Sequence, residues 1–267
     1  MIGAFFATAN EPLAAEKLFN IGPLPFTNTM LFGLITAVFV LTLFGLAARA
    51  SQLWPKSRLA YYLESFTELV FGLITDSFGE TKRARRFFPL LMTLFVFILA
   101  ANLSGLLPGV GTLTLNQHGE HISLVRAFTT DLNSTLAMAV LSITTVQVYA
   151  LREVGLIGHL RHYFSNLRNP LNLLIGFNEV FGEVLRLVTL SLRLFGVIYG
   201  GEALLHAISV LAGNFAWAAT LPIMFLEIFF SLVQAYLFMM LTTTYLVMAV
   251  PLDEHSNSPD GQPEAAR

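Results

Sequence analysis

Ionisable side chains are concentrated in one strongly hydrophobic part of the chain, residues 170–250. Arg193 lies in the middle of the apolar run Val188–Glu202, and a guanidinium keeps its proton at any ordinary pH. Burying one at bilayer depth costs between about 2.5 and more than 10 kcal/mol. A sequence that keeps an arginine there is expected to use its charge. The same part of the chain holds the other candidates for proton chemistry: Glu179, Glu183, Glu202, His206 and Glu227, with Gln234 as an uncharged companion.

The spacing of these groups predicts two proton paths with Arg193 between them. The outer set is Glu202, His206 and Glu227, and the inner set is Glu179 and Glu183. Residues four apart share a helix face, which relates Glu202 to His206 and Glu179 to Glu183. Carboxylates and imidazoles exchange protons, whereas arginine does not. Arg193 would therefore keep the two paths from joining into a leak.

Arg193 needs a counter-charge, and this sequence offers none at its level in the helix. At an effective dielectric constant near 20, a contact with a carboxylate is worth about 4 kcal/mol, which is substantial but reversible. The partner carboxylate is therefore predicted to lie on another subunit.

Simple structural roles remain open for several of the other groups. Arg186 and Glu183 could form an ion pair near the membrane surface, and His206 could be a packed or interfacial histidine. A metal site at His118 and His121 is not expected, because both are predicted to lie in a loop.

The composition indicates an integral membrane protein. The 267 residues are 55% hydrophobic and 12% charged, with a mean hydropathy of +0.68, whereas about a quarter of the residues in soluble domains are charged. The absence of cysteine excludes disulfides and thiolate chemistry. The net charge of −2 gives no reason to expect nucleic acid as a partner.

The hydrophobic segments predict an all-α fold with five transmembrane helices. These spans are expected at about 28–48, 87–107, 132–151, 170–211 and 216–250. Residues 58–78 have the pattern of an interfacial amphipathic helix, with Glu64, Glu68 and Asp76 on its solvated face. Residues 1–27 and 253–267 are predicted to be tails, the second one disordered.

The last two segments are too long for upright spans. About 35 helical residues reach roughly 50 Å, against a hydrocarbon core of about 30 Å. We therefore predict a long, steeply tilted hairpin that turns at Gly213-Asn214, with Gly200-Gly201 and Pro222 as alternative break points.

Basic residues predict the orientation. Ten lie in the two connections after spans one and three, and only Lys17 and Arg126 lie near span ends on the other side. This asymmetry places the N-terminus outside and the C-terminal tail in the cytoplasm, or in the matrix or stroma of an organelle. The ten are Arg49, Lys56, Arg58, Lys82, Arg83, Arg85, Arg86, Arg152, Arg161 and Arg168.

Four motifs together resemble subunit a of the F-type ATP synthase, the membrane stator subunit of its proton-translocating sector. They are Ser191–Gly196 followed by Glu202, Gln234–Thr242, Asn102–Pro108 and Thr130–Thr135. The resemblance extends over residues 28–254. It implies a non-catalytic subunit without a cofactor or metal, in a hetero-oligomer with a rotor c-ring and peripheral-stalk b-type subunits, surrounded by lipid. A bacterial inner membrane is favoured over a mitochondrial or thylakoid membrane.

The resemblance also implies roles for single residues. Arg193 would face the carboxylate of the rotor ring, with Gln234 packed opposite it. Glu202 and Glu227 would supply ionisable groups to the outer half-channel, whose entrance Asn102 would line. Glu179 would belong to the inner half-channel.

The sequence departs from the family pattern in two places. Val197 stands where the family usually has asparagine. The two outer positions commonly combine a glutamate with a histidine, whereas here both are glutamates. The outer route therefore stays open between a proton shared by two carboxylates and a relay through His206. The rival functions are an autonomous secondary transporter, against which the lack of inverted repeats argues, and a membrane scaffold.

Overall fold

A computed structural model describes residues 17–21, 24–50, 58–107, 114–117, 120–123, 126–154 and 170–249. Six helices account for most of this part of the chain, and two short strand pairs precede α1 and α4. The elements are β1 (Lys17–Ile21), β2 (Leu24–Thr27), α1 (Asn28–Ala50), α2 (Arg58–Phe78), α3 (Thr81–Gly105), β3 (Thr114–Gln117), β4 (Glu120–Ser123), α4 (Leu132–Val154), α5 (Pro170–Ala212) and α6 (Ala216–Ala249), with 3-10 turns at Phe128–Thr130 and Gly213–Phe215.

The predicted all-α membrane fold is confirmed. Among the described residues, four apolar stretches are long enough to cross a membrane, and the last covers most of α5 and nearly all of α6. They are Asn28–Leu46, Thr81–Gly105, Leu132–Arg152 and Phe181–Met248. The predicted tail 253–267 lies outside the described residues.

Two antiparallel strand pairs, β1–β2 and β3–β4, were not predicted. Each connects strands of only four or five residues, which is too short to show a clear alternation in the sequence. The first pair lies in the segment predicted to be the N-terminal tail. His121, expected in a loop, lies in β4.

The two longest helices form a hairpin whose turn lies where the sequence predicted it. Gly213 has a φ of +51°, a left-handed conformation that glycine adopts without steric cost, and it ends α5. Gly200 and Gly201 lie inside α5 and Pro222 lies inside α6, so neither alternative break occurs. With 43 and 34 residues, the helices reach about 65 and 50 Å. The tilt in the membrane stays a prediction.

Helix α2 has the amphipathic character expected of residues 58–78. Val70, Ile74 and Phe78 recur at helical spacing and are buried against α3 and α6, and the Phe78 ring stacks on Phe87 at 5.5 Å. The acidic residues predicted on its solvated face, Glu64, Glu68 and Asp76, are exposed.

Helix α3 begins at Thr81, six residues before the predicted start of the second span. Gly79, with a φ of +66°, turns the chain directly from α2 into α3. The basic cluster of residues 82–86 therefore forms the first turns of the helix, where Arg83 Nε lies 3.0 Å from Glu80 Oε2. The hydropathy pattern marks where the charged residues end and the apolar segment begins. The helix itself begins before the charged residues and includes them.

A buried carboxylate joins the first turns of α1 and α4. Asp131 Oδ2 accepts a hydrogen bond from Thr29 Oγ1 at 3.2 Å. Its Oδ1 accepts from the backbone N of Asn133 at 3.1 Å and from Asn133 Nδ2 at 3.3 Å. Asp131 therefore caps α4, as acidic residues at helix N-termini often do.

Candidate functional site

Polar side chains from three helices meet in an otherwise apolar region. Asn102 comes from α3, Glu202 from α5, and Glu227, Ser231 and Gln234 from α6. We call these five residues the polar cluster. The residues on α6 share a face because they are separated by four and three positions.

Gly201 leaves the space that the Glu227 carboxylate occupies. A Cβ atom added at Gly201 would lie 2.7 Å from Glu227 Oε1, closer than any side chain tolerates. A Cβ added at Gly105 would lie 3.7 Å from Glu202 Oε1 and 2.7 Å from the Cβ of Ala127. Glu227 therefore lies directly against the backbone of α5, next to the residue that precedes Glu202.

Four of the five residues are buried, Glu202 is half-buried, and the buried four have unused hydrogen-bonding capacity. The exposed fractions are 1% for Asn102, 4% for Glu227, 0% for Ser231 and 3% for Gln234. Asn102 Nδ2 donates a weak hydrogen bond of 3.5 Å to the carbonyl oxygen of Ser231. Four buried side-chain atoms of the cluster have no hydrogen-bond partner among the described residues, namely Asn102 Oδ1, Glu227 Oε2, Ser231 Oγ and Gln234 Nε2. Buried polar groups normally have partners in protein or water, so this region is suited to hold water.

Arg193 lies on an exposed side of α5. Leu190, Leu194 and Ile198 form the buried face of the helix, whereas Arg193 and Gly196 are exposed. Within the described part of the chain, no hydrogen bond or ion pair involves Arg193. The packing of Gln234 opposite Arg193 stays a prediction. The position of Arg193 agrees with a partner outside this chain.

Arg193 separates the two predicted sets of titratable groups along α5. It follows Glu183 by ten residues and precedes Glu202 by nine, which corresponds to about 15 and 14 Å along the helix axis. The structure thus places Glu202, Glu227, Asn102 and Gln234 together and keeps Glu183 well apart from them. Their roles in proton transfer stay predictions.

Glu183, of the predicted inner set, and the nearby Arg186 contact the neighbouring helices α4 and α6. Glu183 Oε1 accepts a hydrogen bond from Gln147 Nε2 of α4, and the guanidinium of Arg186 lies 5.1 Å from the ring centroid of Tyr245 on α6. Glu183 and Arg186 therefore each contact a neighbouring helix, and these contacts are distinct from the ion pair between the two residues that the sequence suggested. The side chain of Glu179 lies outside the described residues.

His206, in the predicted outer set, is half-buried on α5, one turn beyond Glu202. Its backbone carbonyl accepts a hydrogen bond from Ser209 Oγ at 2.7 Å. A role of its imidazole in proton relay stays a prediction.

Sequence reasoning missed three residues of this region. Ser231 and Gln147 are ordinary polar residues in long apolar helices, and only their proximity to Glu227 and Glu183 could have drawn attention to them. Arg126 was counted only as a basic residue near a span end. It is 4% exposed, and its Nε donates to Thr130 Oγ1 at 3.2 Å. Its neighbour Thr129 is buried with Oγ1 unpaired among the described residues.

Comparisons with known proteins show to which family the chain is similar. Residues 30–247 match the model of a family described as ATP synthase A chain. The chain is 34% identical to the ATP synthase subunit a of Moorella thermoacetica over 230 residues, which cover 86% of this chain and 94% of the relative. It is 33% identical to ATP synthase subunit a 2 of Bradyrhizobium sp. over 246 residues, 90% and 96% of the two chains.

A third relative aligns over nearly the whole sequence. ATP synthase subunit a 1 of Hahella chejuensis is 30% identical over 260 residues, which cover 95% of this chain and all of the relative. The matched region includes all five residues of the polar cluster and Arg193. This multi-pass membrane protein therefore belongs to the ATP synthase A chain family.

Proposed function

We propose that the chain is the proton-translocating stator subunit of an F-type ATP synthase, with two offset half-channels that lead to and from a carboxylate on a rotor ring. The observation that carries the proposal is the exposed Arg193, which has no hydrogen bond or ion pair among the described residues and lies between two separate groups of titratable side chains.

Protons would reach the rotor through the polar cluster. Glu202 and Glu227 are carboxylates that can carry a proton, and the unpaired polar atoms around Glu227 can bind water. A protonated rotor carboxylate is neutral and can move into lipid, whereas the ionised form is attracted to Arg193. Rotation would bring it to the inner path, where Glu183, with Gln147, and Glu179 would accept the proton.

The membrane potential supplies the driving force for this transfer. Each proton that crosses contributes about 2.3 kcal/mol per 100 mV. In this scheme the subunit makes and breaks no covalent bond and needs no cofactor. Its partners are the rotor c-ring, b-type subunits of the peripheral stalk and membrane lipid, in a bacterial inner membrane with the N-terminus outside.

Replacing Arg193 tests the proposal in the assembled complex. The Arg193→Ala complex, in inverted membrane vesicles, should lose ATP-driven proton pumping and proton-driven ATP synthesis while it largely retains ATP hydrolysis. Arg152→Ala is a matched control, because Arg152 is an exposed arginine at the end of another span and should pump normally. Near-normal coupled synthesis by Arg193→Ala would overturn the proposal.

A further inference from the structure

Ser231 differs from the other buried hydroxyl residues of its helix. Thr220, Thr242 and Thr243 are buried on α6, and each donates to the carbonyl oxygen four residues earlier, at distances of 2.8, 2.8 and 2.9 Å. This local bond is the usual way in which serine and threonine satisfy their hydroxyl group in an apolar helix. Ser231 is 0% exposed, and its Oγ has no partner among the described residues.

Other buried polar atoms near Ser231 also have no hydrogen-bond partner among the described residues. Glu227 lies four residues before it and Gln234 three residues after it, so all three share one face of α6. Asn102 reaches this face from α3, because its Nδ2 lies 3.5 Å from the carbonyl oxygen of Ser231. Each of these neighbours also has a buried polar atom without a partner among the described residues.

The chemistry of the four atoms is complementary. Glu227 Oε2 and Asn102 Oδ1 can accept hydrogen bonds, and Gln234 Nε2 can only donate them. Ser231 Oγ can do both at once. Water is small enough to satisfy such a row, and a hydroxyl in its middle can receive a proton from one water molecule while its own proton passes to the next. One O–H bond forms as another breaks, so the serine is unchanged after each transfer.

We infer that Ser231 is a water-positioning residue of the outer proton path. Water held by its hydroxyl would connect Glu227 with Asn102 and Gln234. The inference rests on the proposed function. From Glu227 to Gln234 the row extends about 10 Å along α6, a distance that a few water molecules can bridge.

The first test removes the hydroxyl alone. In vesicles that contain the assembled complex, Ser231→Ala should lower the initial rate of ATP-driven proton pumping by about fivefold, the effect of one lost hydrogen bond on a rate. ATP hydrolysis and the amount of subunit in the membrane should not change. Ser209→Ala is the matched control, since it removes a buried serine hydroxyl that is bonded to its own helix, and it should pump normally. Pumping by Ser231→Ala at the wild-type rate would overturn the inference.

The second test measures hydration directly and does not depend on the first variant being assembled. The chain has no cysteine, so Ser231→Cys introduces a single thiol in this subunit. Silver ions, which travel through water and bind thiolates, should inhibit pumping by this variant. Ser142→Cys is the control, because Ser142 is buried but its hydroxyl lies 2.8 Å from Thr242 Oγ1 in a satisfied pair. Equal resistance of the two variants to silver would show that the site is dry and would also overturn the inference.

Arg193→Ala separates the two levels of the proposal. If Arg193→Ala abolishes pumping while Ser231→Ala and Ser231→Cys behave as wild type, only the role of Ser231 fails. If Arg193→Ala pumps normally, the proposed function itself fails.

Discussion

Two carboxylates of this protein are buried to nearly the same extent but differ in their hydrogen bonding. Asp131 is 5% exposed and Glu227 is 4% exposed. Asp131 accepts hydrogen bonds from Thr29 Oγ1 and from two nitrogens of Asn133. Glu227 Oε2 has no partner among the described residues, and its carboxylate fits against the bare backbone of Gly201.

The difference separates a structural carboxylate from one suited to transport. A carboxylate whose oxygens are already bonded stabilises the fold and has little capacity left for a mobile proton. A buried carboxylate with an unpaired oxygen is costly for stability alone, which makes a functional role the better explanation. Substitutions at the two sites should therefore affect different measurements.

The largest effect is expected at Glu227. Glu227→Gln keeps the size and shape of the side chain, but it replaces one carboxylate oxygen with a donating amide group and removes the ability to carry a proton. We expect ATP-driven pumping to fall by at least about tenfold, because a positioned proton-transfer group contributes about 10²–10⁴-fold to a rate. Hydrolysis and assembly should persist. Pumping within twofold of wild type would indicate that Glu227, like Asp131, has only a structural role.

A smaller loss is expected when the space for Glu227 is removed. In Gly201→Ala the new methyl group would start 2.7 Å from Glu227 Oε1, so the carboxylate must shift away from α5. Overpacking of this kind costs about 1–3 kcal/mol, and we expect pumping to decrease by several-fold. Gly182→Ala provides the control in the same helix, because nothing lies within 4 Å of its added Cβ. Equal pumping rates for the two variants would contradict the described position of Glu227.

Asp131 should affect stability and not transport. Asp131→Ala leaves the Thr29 hydroxyl and the first turn of α4 without their acceptor, at a cost of about 1–3 kcal/mol. The assembled complex should lose activity at a lower temperature in a heating series. Before heating, pumping per assembled complex should equal that of wild type. A selective loss of pumping would mean that Asp131 also takes part in proton transfer.

The smallest effect is expected at Glu64, an exposed carboxylate on α2. Glu64→Gln should change stability by no more than about 0.5 kcal/mol, as exposed substitutions usually do, and pumping should not change. This variant is the matched comparison for Glu227→Gln, because both exchange one carboxylate for an amide. A lower pumping rate in Glu64→Gln would indicate that α2 contacts a partner through its exposed face.

The sequence predicted those features that depend on local patterns. The bounds of α2 and the turn at Gly213 follow from helical periodicity and from the need for a left-handed residue. The grouping of Glu202 with Glu227 came from spacing and from the family resemblance. The separation of Arg193 from the predicted outer set followed from spacing along one helix.

Other features depend on contacts between distant segments and had no local signal. Whether Arg126 is buried, or whether Asp131 is bonded to Thr29, is decided by how α1, α4 and the preceding turn pack. Ser231 resembles any serine in an apolar helix until the neighbouring Asn102 is seen. The helical start at Thr81 was missed because hydropathy reports lipid contact and not backbone conformation.

The most direct measurement concerns what lies against the exposed face that carries Arg193. Gly196 is exposed three residues after Arg193, on the same side of α5, and has room for a side chain. Gly196→Cys, labelled with a thiol-directed photocrosslinker in the assembled complex, should form adducts with the rotor-ring subunit that bears the membrane carboxylate. Adducts only with lipid or with other stator subunits would contradict the account, because Arg193 would then not face the rotor.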